Sequence, residues 1–197
     1  MPILAPGMRI GLLGGSFNPA HAAHRAVSLL ALKRLRLDRV WWLVSPGNPL
    51  KDNRQLPQLA DRLERACTIA GDPRIDVTAI EAAFSTMFSH DTVAKLRARY
   101  PNVRFVFLMG ADNLAQFHRW KRWRELACML PIAVLDRAGL SLTALASPAA
   151  LALMRWRLSE PKAPVLARSR PPAWIFLHGM KSPLSSTAIR AKTKRKG

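Results

Sequence analysis

Apolar residues along this chain follow two alternating periods. Arg9–Leu13, Arg39–Val44, Ile75–Ile80, Val103–Met109, Ile132–Leu135 and Trp174–Leu177 are short, nearly continuous apolar runs, as expected of strands buried on both faces. Between them, His24–Arg36, Leu56–Ala70, Asp91–Tyr100 and Leu114–Leu130 carry apolar residues at helical spacing, the last as one or two pieces, and Ser186–Lys192 reads as a short final helix. Repeated strand–helix–strand units with right-handed crossovers predict an α/β fold, a doubly wound parallel sheet with helices on both faces. Ligands of such sheets sit beyond the carboxyl ends of the strands. Trp41 and Trp42 alternate faces of their strand, so one of them is expected to face the core. Ser159–Pro172 resists the pattern. Its prolines at 161, 164, 171 and 172 predict a loop, mobile over the site.

Composition narrows the class. At 197 residues, with 49% hydrophobic residues, the chain reads as one globular domain over 1–197. No apolar run approaches the length of about 20 residues that spans a bilayer. Met1–Gly7 lacks the basic start and long apolar region of a secretory signal, so a cytoplasmic protein is expected. Cys67 and Cys128 are far apart and outside any C-x-x-C spacing, which predicts buried free thiols rather than a disulfide or a zinc site. His90, His118 and His178 show no metal-ligand spacing and read as structural or exposed.

The formal net charge of +19 raises nucleic acid, acidic surfaces or polyanionic small molecules as partners. The basic residues are scattered along the chain, which argues against a direct nucleic-acid role. Only Arg190–Lys196 is dense, and the end from about 193 is expected to be a solvated tail. The charge exceeds what a nucleotide site requires.

The chemistry concentrates in Gly14-Gly15-Ser16-Phe17-Asn18-Pro19-Ala20-His21-Ala22-Ala23-His24, between the first strand and the first helix. Glycines let the backbone turn sharply and let a phosphate approach without meeting a Cβ. The N–H groups of the following helix start then face an anion. His21 and His24, three residues apart, share one helical face and can donate to a reacting triphosphate. Near the other end, Ser185-Ser186-Thr187-Ala188-Ile189-Arg190 sets hydroxyls at a helix start, with the planar fork of Arg190 one turn on. Trp120 and Trp123 are at helical spacing, as core pairs often are, and Asp112 after a strand is able to cap the next helix.

Together these stretches resemble the H-x-G-H nucleotidyltransferases, with Ala23 where that family has glycine, and the I-S-S-T-x-I-R element of adenylyltransferases, with Leu184 for the leading isoleucine. Three further matches resemble the bacterial nicotinate-nucleotide adenylyltransferases. Pro46-Gly47-Asn48-Pro49-Leu50-Lys51 is similar to P-x-x-P-x-K. Ser89-His90-Asp91-Thr92-Val93 is similar to S-Y-T-x-D-T-L, with Phe88 for tyrosine and Ser89 for threonine. Gly110-Ala111-Asp112-Asn113-Leu114 with Phe117, Trp120 and Trp123 is similar to G-A-D-N-L-x-x-F-x-x-W-x-x-W. The matches span nearly the whole chain in family order.

The resemblance implies a Rossmann-like fold and transfer of AMP from ATP to nicotinate mononucleotide, giving nicotinate adenine dinucleotide and pyrophosphate in NAD biosynthesis. It implies His21, His24 and Arg190 as catalytic residues. Gly14, Gly15, Ser16, Phe17, His21, His24, Gly110, Asp112, Ser185, Ser186, Thr187 and Arg190 would bind ATP. Asn18, Lys51, Ser89 and Trp120 would bind nicotinate mononucleotide, Trp120 by stacking on the pyridine ring, with Trp123 left to packing. Mg²⁺ is expected on the ATP phosphates, held by phosphate oxygens and water with no protein metal site. Alternatives are a relative accepting nicotinamide mononucleotide or phosphopantetheine, or a non-enzymatic basic nucleic-acid binder. Phosphopantetheine enzymes usually carry threonine in place of His21 and lack the D-T-L and F-x-x-W-x-x-W elements. An aminoacyl-tRNA synthetase has no room here for its further domains. Oligomeric state is not legible.

Overall fold

Trp41 and Trp42 point to opposite faces of one strand and both are fully buried. Each packs in its own core, because the sheet is covered by helices on both sides, as the alternating strand and helix pattern predicts. The computed structural model describes residues 4–47, 54, 56–136 and 141–179. In these, seven strands form one sheet: β1 (Arg9–Gly15), β2 (Arg39–Val44), β3 (Ile75–Thr78), β4 (Arg104–Gly110), β5 (Ile132–Leu135), β6 (Arg157–Leu158) and β7 (Trp174–Leu177). Their order is β3-β2-β1-β4-β5-β7-β6, with every pairing parallel. The helices are α1 (Ala22–Arg34), α2 (Leu59–Ala70), α3 (Ile80–Ala83), α4 (Ser89–Arg99), α5 (Ala111–Gln116), α6 (Trp123–Met129), α7 (Ser141–Leu145) and α8 (Pro148–Ala152).

Alternate strand residues feed two cores. Trp41, Phe107 and Phe176 pack with Val93 and Leu96 of α4, Leu126 of α6 and Ala149 of α8. Trp42, Leu108 and Ile175 pack on the other face with Val27 and Ala31 of α1 and Ala66 of α2. Gly11 lets the layers approach closely: a Cβ there would lie 2.7 Å from Leu108 and 2.8 Å from Leu37 side-chain carbons, so those side-chain ends would have to shift.

The order in which strands are added to the sheet reverses between β1 and β4. The chain runs β1, β2, β3 outward on one side, then crosses back to lay β4 on the other side of β1. That reversal lies between β1 and β4, and doubly wound sheets bind ligands beyond the carboxyl ends of the strands that flank such a point. The opposite, amino edge is lashed by ion pairs. Arg9 grips Asp38 through Nε at 3.0 Å and Nη2 at 2.6 Å, and Arg39 grips Asp76 at 2.6 and 2.8 Å.

Several expectations need correction. Ser159–Pro172 is not a loop over the site: Glu160–Arg168 is a 3₁₀ helix whose Ala163, Leu166 and Ala167 are buried against the sheet. Pro161 lies in its first turn, where a missing N–H leaves no bond unmade. The Glu160 carboxylate fixes its start, accepting from Arg34 Nη2 at 2.8 Å and pairing with His178 Nδ1 at 2.9 Å. Strand β3 ends at Thr78, and Ile80 opens α3 instead of continuing the strand. Both cysteines are exposed free thiols rather than buried ones. The helix expected over Ser186–Lys192 lies outside the described residues.

Candidate active site

Strand β1 ends at Gly15, and continuing its pairing from Leu13↔Leu108 brings Gly15 level with Gly110 at the end of β4. Gly14 is half-buried, with nothing within 4 Å of the place a Cβ would occupy. Ser16 follows, then Phe17 in the left-handed region at φ +46°. Phe17 is held there by packing, since its ring stacks on Trp42 with centroids 4.9 Å apart. A Cβ on Gly15 would touch that ring at 3.4 Å. Asn18 lies half-buried in the turn that leads into α1.

His21 is the N-cap of α1, with extended backbone at φ −152°, and His24 is its third residue. The expected helical face is thus shared by a cap and a first-turn position. The rings lie closer than two helical neighbours would, with centroids 3.9 Å apart. The His21 backbone N–H donates to His24 Nδ1 at 3.3 Å. An accepting Nδ1 puts the proton of a neutral ring on Nε2. His24 also leans on Phe17 and Trp42, at 4.7 and 5.9 Å between centroids. A buried chain of bonds ties this helix to β2: Trp42 Nε1 donates to Ser28 Oγ at 2.8 Å, and that hydroxyl donates to the His24 carbonyl at 2.9 Å.

Across the switch point, Gly110 closes β4 and caps α5, which puts Asp112, exposed, in the first turn of α5 at the same edge of the sheet. Ser89 is half-buried as the first residue of α4. Its helix start is fixed by the buried Thr86–Thr92 hydroxyl pair at 2.7 Å. Trp120 is half-buried and meets Phe107 and Phe117 edge-on at 6.2 and 5.4 Å, while Trp123 is buried. The Ser89 and Trp120 segments come together, because Lys121 Nζ lies 4.3 Å from the centre of the Phe88 ring. The buried His90 joins them further, pairing with Asp91 at 2.8 Å and lying 3.6 Å from Glu125 of α6.

Lys51, Ser185, Ser186, Thr187 and Arg190 lie outside the described residues. Among the described residues, no three His, Cys, Asp or Glu side chains are grouped to hold a metal ion, and no helix is long and apolar enough to cross a membrane.

Two buried charges beside this edge escaped the sequence reading. Arg62 of α2 is 2% exposed and donates to the carbonyls of Ser16 at 2.8 Å, Ser45 at 2.7 Å, Pro46 at 3.3 Å and Pro57 at 3.0 Å. Burial pulls its pKa below the usual arginine value. Glu81 of α3, just past β3, is 5% exposed, and burial pushes its carboxyl up to about 7. Neither belongs to a recognisable motif. The one available signal is an arginine on the apolar side of an amphipathic helix.

Comparisons with known proteins agree with this geometry. The cytidylyltransferase-like family model matches residues 12–192. A protein of Bradyrhizobium sp. (strain ORS 278) named "Probable nicotinate-nucleotide adenylyltransferase" is 57% identical over 93% of this chain and 95% of its own length. One of the same name from Mesorhizobium japonicum is 52% identical over 98% of this chain and 100% of its own. Among solved structures, the Plasmodium falciparum nicotinic acid mononucleotide adenylyltransferase complexed with NaAD shares the fold, with a TM-score of 0.70 at 18% identity, covering 93% of this chain and 83% of that one. The chain belongs to the cytidylyltransferase-like family and, within it, to the nicotinate-nucleotide adenylyltransferases.

Proposed function

We propose that this chain transfers AMP from ATP to nicotinate mononucleotide, releasing pyrophosphate and forming nicotinate adenine dinucleotide for NAD biosynthesis. The observation that carries the reading is the His21–His24 pair, rings 3.9 Å apart, held at the switch point of a sheet in this family. A phosphate monoester is already a nucleophile, so the acceptor phosphate attacks the α-phosphorus in line. One P–O bond forms as the bond to the β-phosphate oxygen breaks. The work left to the protein is to hold two anions together and to stabilise charge in the transition state.

His21 and His24 serve the ATP phosphates from the first turn of α1, with Gly14, Gly15, Ser16 and Phe17 supplying a close backbone. Gly110 and Asp112 serve the nucleoside. Ser185, Ser186, Thr187 and Arg190 take the departing β,γ-phosphates. Asn18, Lys51, Ser89 and Trp120 receive nicotinate mononucleotide, with Trp120 stacked on the pyridine ring. This division of roles follows the resemblance of the motifs, and for Ser89 and Trp120 it is supported by the Lys121–Phe88 contact that joins their segments. Mg²⁺ would travel with the ATP phosphates, where it would neutralise charge on the triphosphate. The reading has the enzyme acting in the cytoplasm on these two nucleotides, without nucleic acid.

The test is chromatography of the products from ATP with nicotinate mononucleotide or phosphopantetheine. Equal amounts of nicotinate adenine dinucleotide and pyrophosphate are expected from the first acceptor. Product from phosphopantetheine alone, or from neither, would overturn the reading.

A further inference from the structure

Among the described residues Arg62 is the only buried arginine or lysine. Its four hydrogen bonds go to main-chain carbonyls on three separate segments. One is the turn after β1, through Ser16. Another is the exit of β2, through Ser45 and Pro46. The third is Pro57, just ahead of α2. The first two already touch, since Ser45 N–H donates to the Gly15 carbonyl at 2.9 Å. Arg62 closes that contact from behind.

The Ser16 bond has a directional consequence. In a planar trans peptide the C=O and the following N–H point in opposite directions. Holding the Ser16 carbonyl on Arg62 therefore aims the Phe17 N–H away from α2. Phe17 is a bulky residue at φ +46°, a conformation kept only where surroundings over-determine it. The Trp42 ring fixes its side chain and Arg62 fixes its peptide. The Ser45–Pro46 segment, held by the same guanidinium, leads into the Pro46–Lys51 stretch.

We propose that Arg62 is a positioning residue for adenylyl transfer. It sets the Ser16–Phe17 peptide of the phosphate turn and the start of the acceptor-side loop in one fixed relation, so that the two anions meet in register. The inference rests on the function proposed above. A lysine keeps the charge but offers one nitrogen, which cannot bridge three segments as the planar fork does.

The experiment compares the wild-type enzyme with Arg62→Lys and with Arg62→Ala, the latter with and without methylguanidinium. Each is followed by circular dichroism, melting temperature, and kcat and KM for both substrates. Folded Arg62→Lys is expected to lose at least about thirtyfold in kcat, with KM raised for ATP and for nicotinate mononucleotide alike. Methylguanidinium should restore activity to Arg62→Ala saturably, at unchanged melting temperature, and should leave wild type unaffected. A purely structural role lowers the folded fraction and leaves KM in place. Unchanged KM in folded Arg62→Lys, or rescue of Arg62→Ala that is absent or only tracks a rising melting temperature, would overturn the proposal. So would failure of both variants to fold, since Arg62 would then serve the fold alone. A wild-type enzyme without activity would instead remove the reading of function on which this rests.

Discussion

The His21 backbone N–H donates to Nδ1 of His24, 3.3 Å away, and the two imidazoles lie 3.9 Å apart between centroids. The bond orients one ring from the cap of the helix that carries both, and it directs the proton of neutral His24 to Nε2. His24→Ala is expected to lower kcat by about a hundredfold or more, the cost of removing one preorganised donor to a developing charge. Melting temperature should change little, because His24 is only half-buried. Turnover near wild type in the folded variant would remove this residue from the chemistry.

Much of this was legible along the chain. The apolar runs at Arg9–Leu13 and Val103–Met109 were long enough to mark central strands, and the glycine turn between a strand and a helix could fall only at the carboxyl edge of a parallel sheet. What stayed hidden depends on contacts distant in sequence. Arg62 is buried because segments after β1 and β2 fold over it; its place on the apolar side of α2 hints at burial, but the carbonyls it binds cannot be read from the sequence. The 3₁₀ helix Glu160–Arg168 was hidden by its prolines and is held by Arg34, 126 residues away. Helices α7 and α8 have five residues each, too few to display a period. The exposed thiols Cys67 and Cys128 lie on helices, where residue type alone does not tell the outer face from the inner.

Ser28 links Trp42 to the first helix from a fully buried position. Ser28→Ala leaves the indole N–H buried without its acceptor, which costs about 1–3 kcal/mol. Urea denaturation should show the lowered midpoint with an unchanged slope. Undiminished stability would mean the indole finds another partner.

Trp120→Ala tests the acceptor platform. Stacking on a base contributes about 1–3 kcal/mol and does not depend on the ring substituent. Steady-state kinetics should therefore show kcat/KM falling for nicotinate and nicotinamide mononucleotides together, with their ratio preserved. A changed ratio would give Trp120 a part in reading the substituent, and no loss at all would end its role as platform.

Glu81 gives a pH dependence of known sign. Its carboxyl ionises near 4.5 when unfolded and near 7 when folded, because burial disfavours the charged form. A raised carboxyl favours folding fully below the unfolded value, and that contribution is lost as pH rises through the folded value. Glu81→Gln keeps the neutral form at every pH. Relative to wild type it should therefore gain stability from about pH 5 to about pH 8.5, by on the order of 2–3 kcal/mol. Melting curves at the two pH values that move in parallel for both proteins would refute this.

Nicotinate and nicotinamide present the same aromatic face, so choosing between them requires donors aimed at the carboxylate. Backbone N–H groups near Ser89 and in the Trp120 segment, which the Lys121–Phe88 contact draws together, are the expected source. A carboxylate only accepts, whereas an amide NH₂ opposes such donors in a desolvated pocket, at a cost of about 1–3 kcal/mol or more. The ratio of kcat/KM for nicotinate mononucleotide over nicotinamide mononucleotide, measured on the wild-type enzyme with ATP saturating, should therefore be at least about tenfold. Equal values, or a preference for the amide, would contradict the assignment of this chain to nicotinate mononucleotide.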